Sequence, residues 1–342
     1  MLRHGITPAS RSRRRARLVT LIASAGLLAS VSGCGLLGGE DEPSTPSGGN
    51  GSVETADITV TTLPAIDVAP LHLAVKNGYF KEEGLNVSID QAASGQAALT
   101  KMIGGDAEIA FSSYVPFFVA QSKEAADLKF VADAVSTTPD SIQIVTMPNS
   151  SVKTVKDLEG KTIAVSALNT ISDALVKSVM KTQGLDYNKV DWVPVSFPDI
   201  AGTLSRGDAD AGLLIEPYLT AASETAGAVP IIDAATGPTK DFPLAGYAST
   251  AKFAEENPNT VAAFQRAMKK ATDDAQDRST IEPLVVDYAK VEKDTVSLVK
   301  MPKFQSTLDA SRIQRVPDLM VEFGIIPEKI DAASMIVQSA TT

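Results

Sequence analysis

The stretch Asp57–Asp90, DITVTTLPAIDVAPLHLAVKNGYFKEEGLNVSID, decides the fold. Ile58 and Val60 alternate with Asp57 and Thr59, the period of a half-buried strand. Pro64 and Pro70 bracket a loop, and Pro70 suits a first helical turn, where its missing N–H is not needed. Leu71, Ala74, Val75 and Phe80 give a short apolar helical face, Gly78 and Gly84 punctuate its end, and Val87 and Ile89 restart the strand period. Strand, helix, strand is a βαβ unit. It implies an α/β fold with mostly parallel sheet and ligands at the carboxyl ends of strands. The loop Thr61–Ala69 lies at such an end, which makes Leu63, Pro64 and Asp67 candidate ligand contacts.

The same rhythm continues outward. Ala92–Gln96 is a small-residue turn into a helix over Ala97–Ile103. The buried strand Ala107–Ser112 ends at Ser112-Ser113-Tyr114, and a further helix starts at Pro116. Turns near Leu63, Gly95 and Ser113 therefore recur at the same end of successive strands. Each leaves free N–H groups at a helix start, so Gly95, Gln96, Ser112, Ser113 and Tyr114 join the candidates. Ile142–Thr146 reads as the crossing into a second lobe. There the strand Thr162–Val165 runs into Asn169, Thr170 and Ser172, the best anion cradle of that lobe, although a generic N-cap has the same residues. Trp192 is expected in the core. Strand Ala211–Ile215 ends in Glu216-Pro217-Tyr218, and Leu244–Thr250 reads as the return crossing, carrying Gly246 and Tyr247. Helices follow, among them Val261–Ala275 and one from Pro283, and they fall back on the first lobe.

The first fifty residues are of another kind. Arg3, Arg11, Arg13, Arg14, Arg15 and Arg17 precede a short apolar run, Leu18–Val31, the pattern of an export signal too short to span a bilayer. It ends in Val31-Ser32-Gly33-Cys34, which resembles a bacterial lipoprotein cleavage box with Cys34 as the lipidated residue. Residues 35–56, rich in Gly, Ser, Pro and acids, read as a flexible tether. The expected organisation is a signal over 1–33, a tether over 34–56, lobe one over 57–141 and 247–340, and lobe two over 142–246. Cys34 is the only cysteine, so no intramolecular disulfide can form. Net charge is −10 for the whole chain and −16 once the six arginines leave. That balance, with no basic stripe, argues against nucleic acid as a partner.

Two phrases carry a resemblance. The run APLHLAVKNGYFKEEGLNV (69–87), above all GYFKEEGLNV, is similar to the opening of the SsuA/THI5-like family, NMT1-type substrate-binding proteins of the nitrate/sulfonate/taurine and thiamine-precursor group. VKDLEGKTIAV (155–165) is similar to a phrase common in two-lobed binding proteins. The resemblance implies a type II periplasmic-binding-protein-like fold, two sheets flanked by helices with two hinge crossings. It implies a small-molecule solute and ABC permease and ATPase subunits as partners, with a monomer as the default. It also places Glu216, Tyr218 and Tyr247 near the ligand.

Catalytic patterns are sparse. The histidines are His4 and His72, and His4 lies in the signal. No Gly-x-Ser-x-Gly elbow, His-Glu-x-x-His or phosphate loop occurs. Thiamine-pyrimidine synthases related to the family use a cysteine-rich motif that a one-cysteine chain lacks. The expectation is no enzyme, no cofactor and no metal. The chain reads as a lipid-anchored receptor for a small polar solute. That solute is either an anion of the sulfonate, taurine or nitrate type, or a thiamine-precursor-like heteroaromatic. A synthase-like enzyme and a ligand-free surface scaffold are the alternatives.

Overall fold

A computed structural model describes residues 52–337. The signal, Cys34 and all of the tether before Ser52 lie outside the described residues. Eleven strands form two sheets: β1 (Asp57–Thr62), β2 (Asn86–Gln91), β3 (Ile109–Ser113), β4 (Leu128–Ser136), β5 (Ile142–Thr146), β6 (Thr162–Val165), β7 (Asp191–Pro194), β8 (Ala211–Ile215), β9 (Val229–Asp233), β10 (Pro243–Thr250) and β11 (Lys303–Phe304). The first sheet has the order β11-β4-β10-β3-β1-β2 and the second β7-β6-β8-β5-β9. Both are mixed. The βαβ units pair in parallel (β1 with β2 and β3, β6 with β7 and β8), and the strands flanking the crossings pair antiparallel.

The chain changes sheets between β4 and β5 and again between β9 and β10. The crossings are therefore residues 137–141 and 234–242, not the strands on either side. This corrects the boundary expected near 246: all of β10 already pairs with β3 and β4 in the first sheet. The two crossings bond to each other. Thr137 N–H donates to Phe242 O at 2.9 Å, Thr137 Oγ1 donates to Thr239 O at 2.9 Å, and Phe242 N–H donates to Thr137 Oγ1 at 2.8 Å. Arg315 adds its guanidinium to the carbonyls of Pro238, Lys240 and Asp241 at 2.7–2.9 Å.

The helices after β10 pack on the first sheet, as the sequence led us to expect. Ile58, Val60 and Phe111 of the strands share one core with Phe264, Met268, Ile281 and Val285. Two boundaries differ. The helix Arg278–Ala289 starts before Pro283, because Asp277 accepts the Ser279 N–H as its N-cap. The helix Pro258–Asp274 is capped from outside its own neighbourhood. The Glu54 carboxylate accepts the N–H groups of Asn259 (3.1 Å) and Thr260 (2.9 Å), and Thr55 bonds Asn257 and Thr260. Glu54 and Thr55 thus belong to the folded body and not to the tether.

Candidate functional site

The carboxyl ends of β1, β3 and β4 lie at one edge of the first sheet. β1 pairs in parallel with β3, and β10 runs antiparallel between β3 and β4. Loop 63–68 leaves that edge through a short 3-10 turn, Ile66–Val68, and enters the helix Ala69–Asn77. A small cavity of about 30 Å³ lies between this loop and the second lobe. Ile66, Asp67 and Leu244 line it from the first lobe, and Ile142, Ile215 and Glu216 line it from the second.

Asp67 is half-buried, and among the described residues its carboxyl accepts only its own backbone N–H. Loss of hydration pushes its pKa up to about 6. Opposite it, Glu216 is nearly buried. Its carboxylate accepts the Lys300 N–H (3.1 Å), the Thr220 N–H (3.1 Å) and the Thr220 hydroxyl (2.9 Å). The Lys300 bond ties the end of β8 to the segment just before β11, that is, the second lobe to the first.

Two other features of the first-lobe edge bear on a ligand. Thr62 and Ser112 are fully buried, yet neither hydroxyl has a hydrogen-bond partner among the described residues. Such orphaned groups are uncommon in a finished core. Gly95 lies against Ser112 so closely that a Cβ there would fall 2.3 Å from Ser112 Oγ. The glycine is therefore required by proximity, and the approach leaves the Ser94-capped start of helix Gly95–Gly104 beside that hydroxyl. Ser113 precedes the helix Tyr114–Ser122 without donating or accepting a side-chain cap bond.

Other sequence candidates are placed elsewhere. Tyr114 and Tyr247 are fully buried in the first lobe. Tyr114 donates to Asp133 at 2.9 Å and packs edge-on against Phe130, with Gly246 pressed against its ring. Tyr247 packs against Phe111 and Phe264, and its hydroxyl has no partner. Burial and the charge of Asp67 push its pKa up. Gln96 is exposed and lines a separate surface groove between helices with Leu99 and Pro116. Leu63 is half-buried and Pro64 exposed on the loop itself.

The second-lobe cradle is closed by its own side chains. Thr170 and Asp173 form a reciprocal capping box, with Thr170 N–H donating to Asp173 at 2.7 Å. Ser172 accepts the Ser166 N–H, and Lys177 pairs with the buried Asp173 at 2.6 Å. A carboxylate already occupies the positive end of this helix, so an added anion would be repelled there. Asn169 is exposed and adopts a left-handed backbone (φ 55°). Both Asn169 and Thr170 are thus turn and cap residues, the plainer of the two readings their types allowed.

Three residues escaped the sequence reading. Phe197 stacks on the half-buried Tyr218 with ring centroids 5.9 Å apart, giving the second lobe an aromatic surface where β7 and β8 end. Arg312 comes from 176 positions away to donate to Ser136 and pair with the buried Asp133 at the end of β4. Tyr288 stacks face to face on His72 (3.9 Å between centroids), and burial pushes the His72 pKa down to about 4. Among the described residues no group of three or more His, Cys, Asp or Glu could hold a metal ion.

Two α/β lobes, two bonded crossings and a cavity at the strand ends define the fold of a two-lobed periplasmic binding protein. The solved alkanesulfonate-binding protein SsuA of Xanthomonas axonopodis, bound to MOPS, superposes with a TM-score of 0.69 at 19% identity, over 83% of this chain and 99% of that one. The model of the NMT1/THI5-like family matches residues 65–279, and the chain belongs to that family. It is 24% identical over 220 residues to the formylaminopyrimidine-binding protein of Halalkalibacterium halodurans, covering 64% of this chain and 66% of that one. It is 25% identical over 211 residues to the taurine-binding periplasmic protein of Escherichia coli, covering 61% and 64%. The chain spans about two thirds of the length of these relatives.

Proposed function

We propose that this protein is the extracytoplasmic solute-binding component of an ABC importer, a receptor and not an enzyme. The observation that supports it most is the cavity whose walls come from both lobes, Asp67 on one and Glu216 on the other, at the strand ends beside two linked crossings. A solute bridging such walls stabilises the approach of the lobes, and the crossings absorb the motion. The relatives that bind formylaminopyrimidine and taurine support a small polar solute. Lipidation at Cys34 holds the receptor at the outer membrane face, beside its permease and ATPase. Replacing Cys34 with Ser moves the protein from the membrane fraction to the soluble one.

Thermal melting of the purified chain against nitrate, alkanesulfonates, taurine, aromatic carboxylates, pyrimidines and flavin-like compounds tests the reading. A true solute at a hundred times its Kd adds about 2.7 kcal/mol, a readily visible shift. A folded sample that shifts with no compound of the panel counts against the receptor reading.

A further inference from the structure

The chemistry of the cavity narrows the class of solute, an inference that rests on the receptor reading. Asp67 takes no hydrogen bond beyond its own N–H, and among the described residues no cation pairs with it. A carboxylate offers about four acceptor positions, so most of those on Asp67 are open. Glu216, across the cavity, accepts three bonds from neutral donors and also has no ion-pair partner among the described residues. Lys300 lines the cavity, but its side chain is exposed and its contact with Glu216 is made by the backbone.

The first lobe carries a second sign of an unfilled role. The hydroxyls of Tyr247 and Thr62 are both fully buried and both without a partner. The strand register puts Thr62, Phe111 and Tyr247 on one face of the sheet, and Tyr247 and Tyr288 both sense the Asp67 charge. A desolvated carboxylate facing a second carboxylate across the cavity lacks a counter-ion among the described residues. An oxyanion placed there meets two like charges. A nitrogen cation supplies both the missing charge and the missing N–H donors.

We infer that the solute presents a positively charged N–H-bearing group, a protonated amine, amidine or amino-heterocycle, to the Asp67 carboxylate, with Glu216 closing on it from the second lobe.

The test is calorimetric titration and melting of the purified chain with two probe sets, 4-aminopyridine and benzamidine as nitrogen cations and nitrate and ethanesulfonate as anions. Asp67→Asn and Glu216→Gln variants are run beside it. The expected result is binding of a cation probe, weakened at least tenfold in D67N and less in E216Q, with both variants folded by circular dichroism. Binding of an anion probe with no cation probe bound overturns the inference and leaves the receptor reading standing. Cation binding that survives D67N unchanged also overturns it, since the charge then lies elsewhere. If no probe of either set binds, the inference falls, and the wider solute panel decides the receptor reading separately.

Discussion

One second-lobe helix start and the strand-end edge of the first lobe treat their polar groups in opposite ways. In the second lobe, every polar group at the start of the helix Ile171–Thr182 is committed locally: Thr170 to Asp173, Ser172 to Ser166, Asp173 to Lys177. In the first lobe, Thr62 and Ser112 are buried without partners, and Asp67 is desolvated without a counter-ion. Saturated groups stabilise and are indifferent to a solute. Unsaturated ones cost stability and gain from it. On the receptor proposal, chemical recognition falls to the first lobe and a firmer closing surface, with Glu216 and the Phe197–Tyr218 pair, to the second.

The largest effect belongs to the saturated side. Asp173 is almost fully buried, and its removal leaves Lys177, only 12% exposed in its side chain, without a counter-charge, facing only the Trp192 ring, and opens the capping box. Breaking a buried pair in this way costs roughly 3–5 kcal/mol. Asp173→Ala is expected to lower the denaturant midpoint strongly while leaving the affinity of the folded protein for its solute unchanged. Weakened affinity at conditions where the variant is fully folded would place recognition in the second lobe after all and break the comparison.

Asp67 gives the opposite sign. Its folded pKa, about 6, lies above the unfolded value of about 3.9. Between these values the folded state binds more protons than the unfolded one, so stability from this group falls as pH rises. The cost is absent below about pH 4 and complete above about pH 6. Asp67→Asn should therefore stabilise the solute-free protein by about 3 kcal/mol at neutral pH and by almost nothing at pH 4. Melting curves of wild type and variant across this range check it, other titrating groups cancelling in the difference. A gain that does not vary with pH would mean that charge is not what the lobe tolerates there.

Gly95→Ala is expected to do less to stability and more to binding. The new methyl must displace Ser112 Oγ, a crowding that costs about 1–3 kcal/mol. It also fills the space beside that hydroxyl, so solute affinity should drop at least tenfold by calorimetry. Unchanged affinity would show that the unpartnered Ser112 has no part in recognition.

The legibility of these features follows sequence distance. The βα rhythm, the strands and the return of the last helices to the first lobe were readable, because periodicity and punctuation are local. So was the polar helix start at Asn169, Thr170 and Ser172, although nothing in those residues says whether such a start is satisfied or waiting. Asp67 was named from its loop and Glu216 from the family resemblance. That they line one cavity depends on how the lobes meet, which no local pattern encodes. The burial of Tyr114 and Tyr247 was not readable, because an aromatic at a strand end can turn to either face of the sheet. Here both packed inward against Phe130 and Phe111. Arg312 was invisible, since its partners Asp133 and Ser136 are about 180 residues away.

Glu54 sharpens the comparison at its smallest scale. The second lobe caps its helix from three residues away, whereas the first caps Pro258–Asp274 with a carboxylate 205 positions distant. Burial works against the Glu54 charge, yet the N–H groups of Thr260 and Asn259 hold its pKa below the usual carboxylate value. Its contribution is therefore present above about pH 4.3 and fades as pH falls through the lowered value. A chain starting at Ala56, the apparent end of the tether, loses this cap. Compared with one starting at Ser52, it should melt a few degrees lower, the size of about 1 kcal/mol for one helix cap. Glu54→Gln in the longer chain should recover only part of the difference, because the amide accepts at one oxygen where the carboxylate accepts at two. Equal melting of the two chains at neutral pH would mean that the long-range cap adds nothing, and that the first lobe holds its last helices by apolar packing alone.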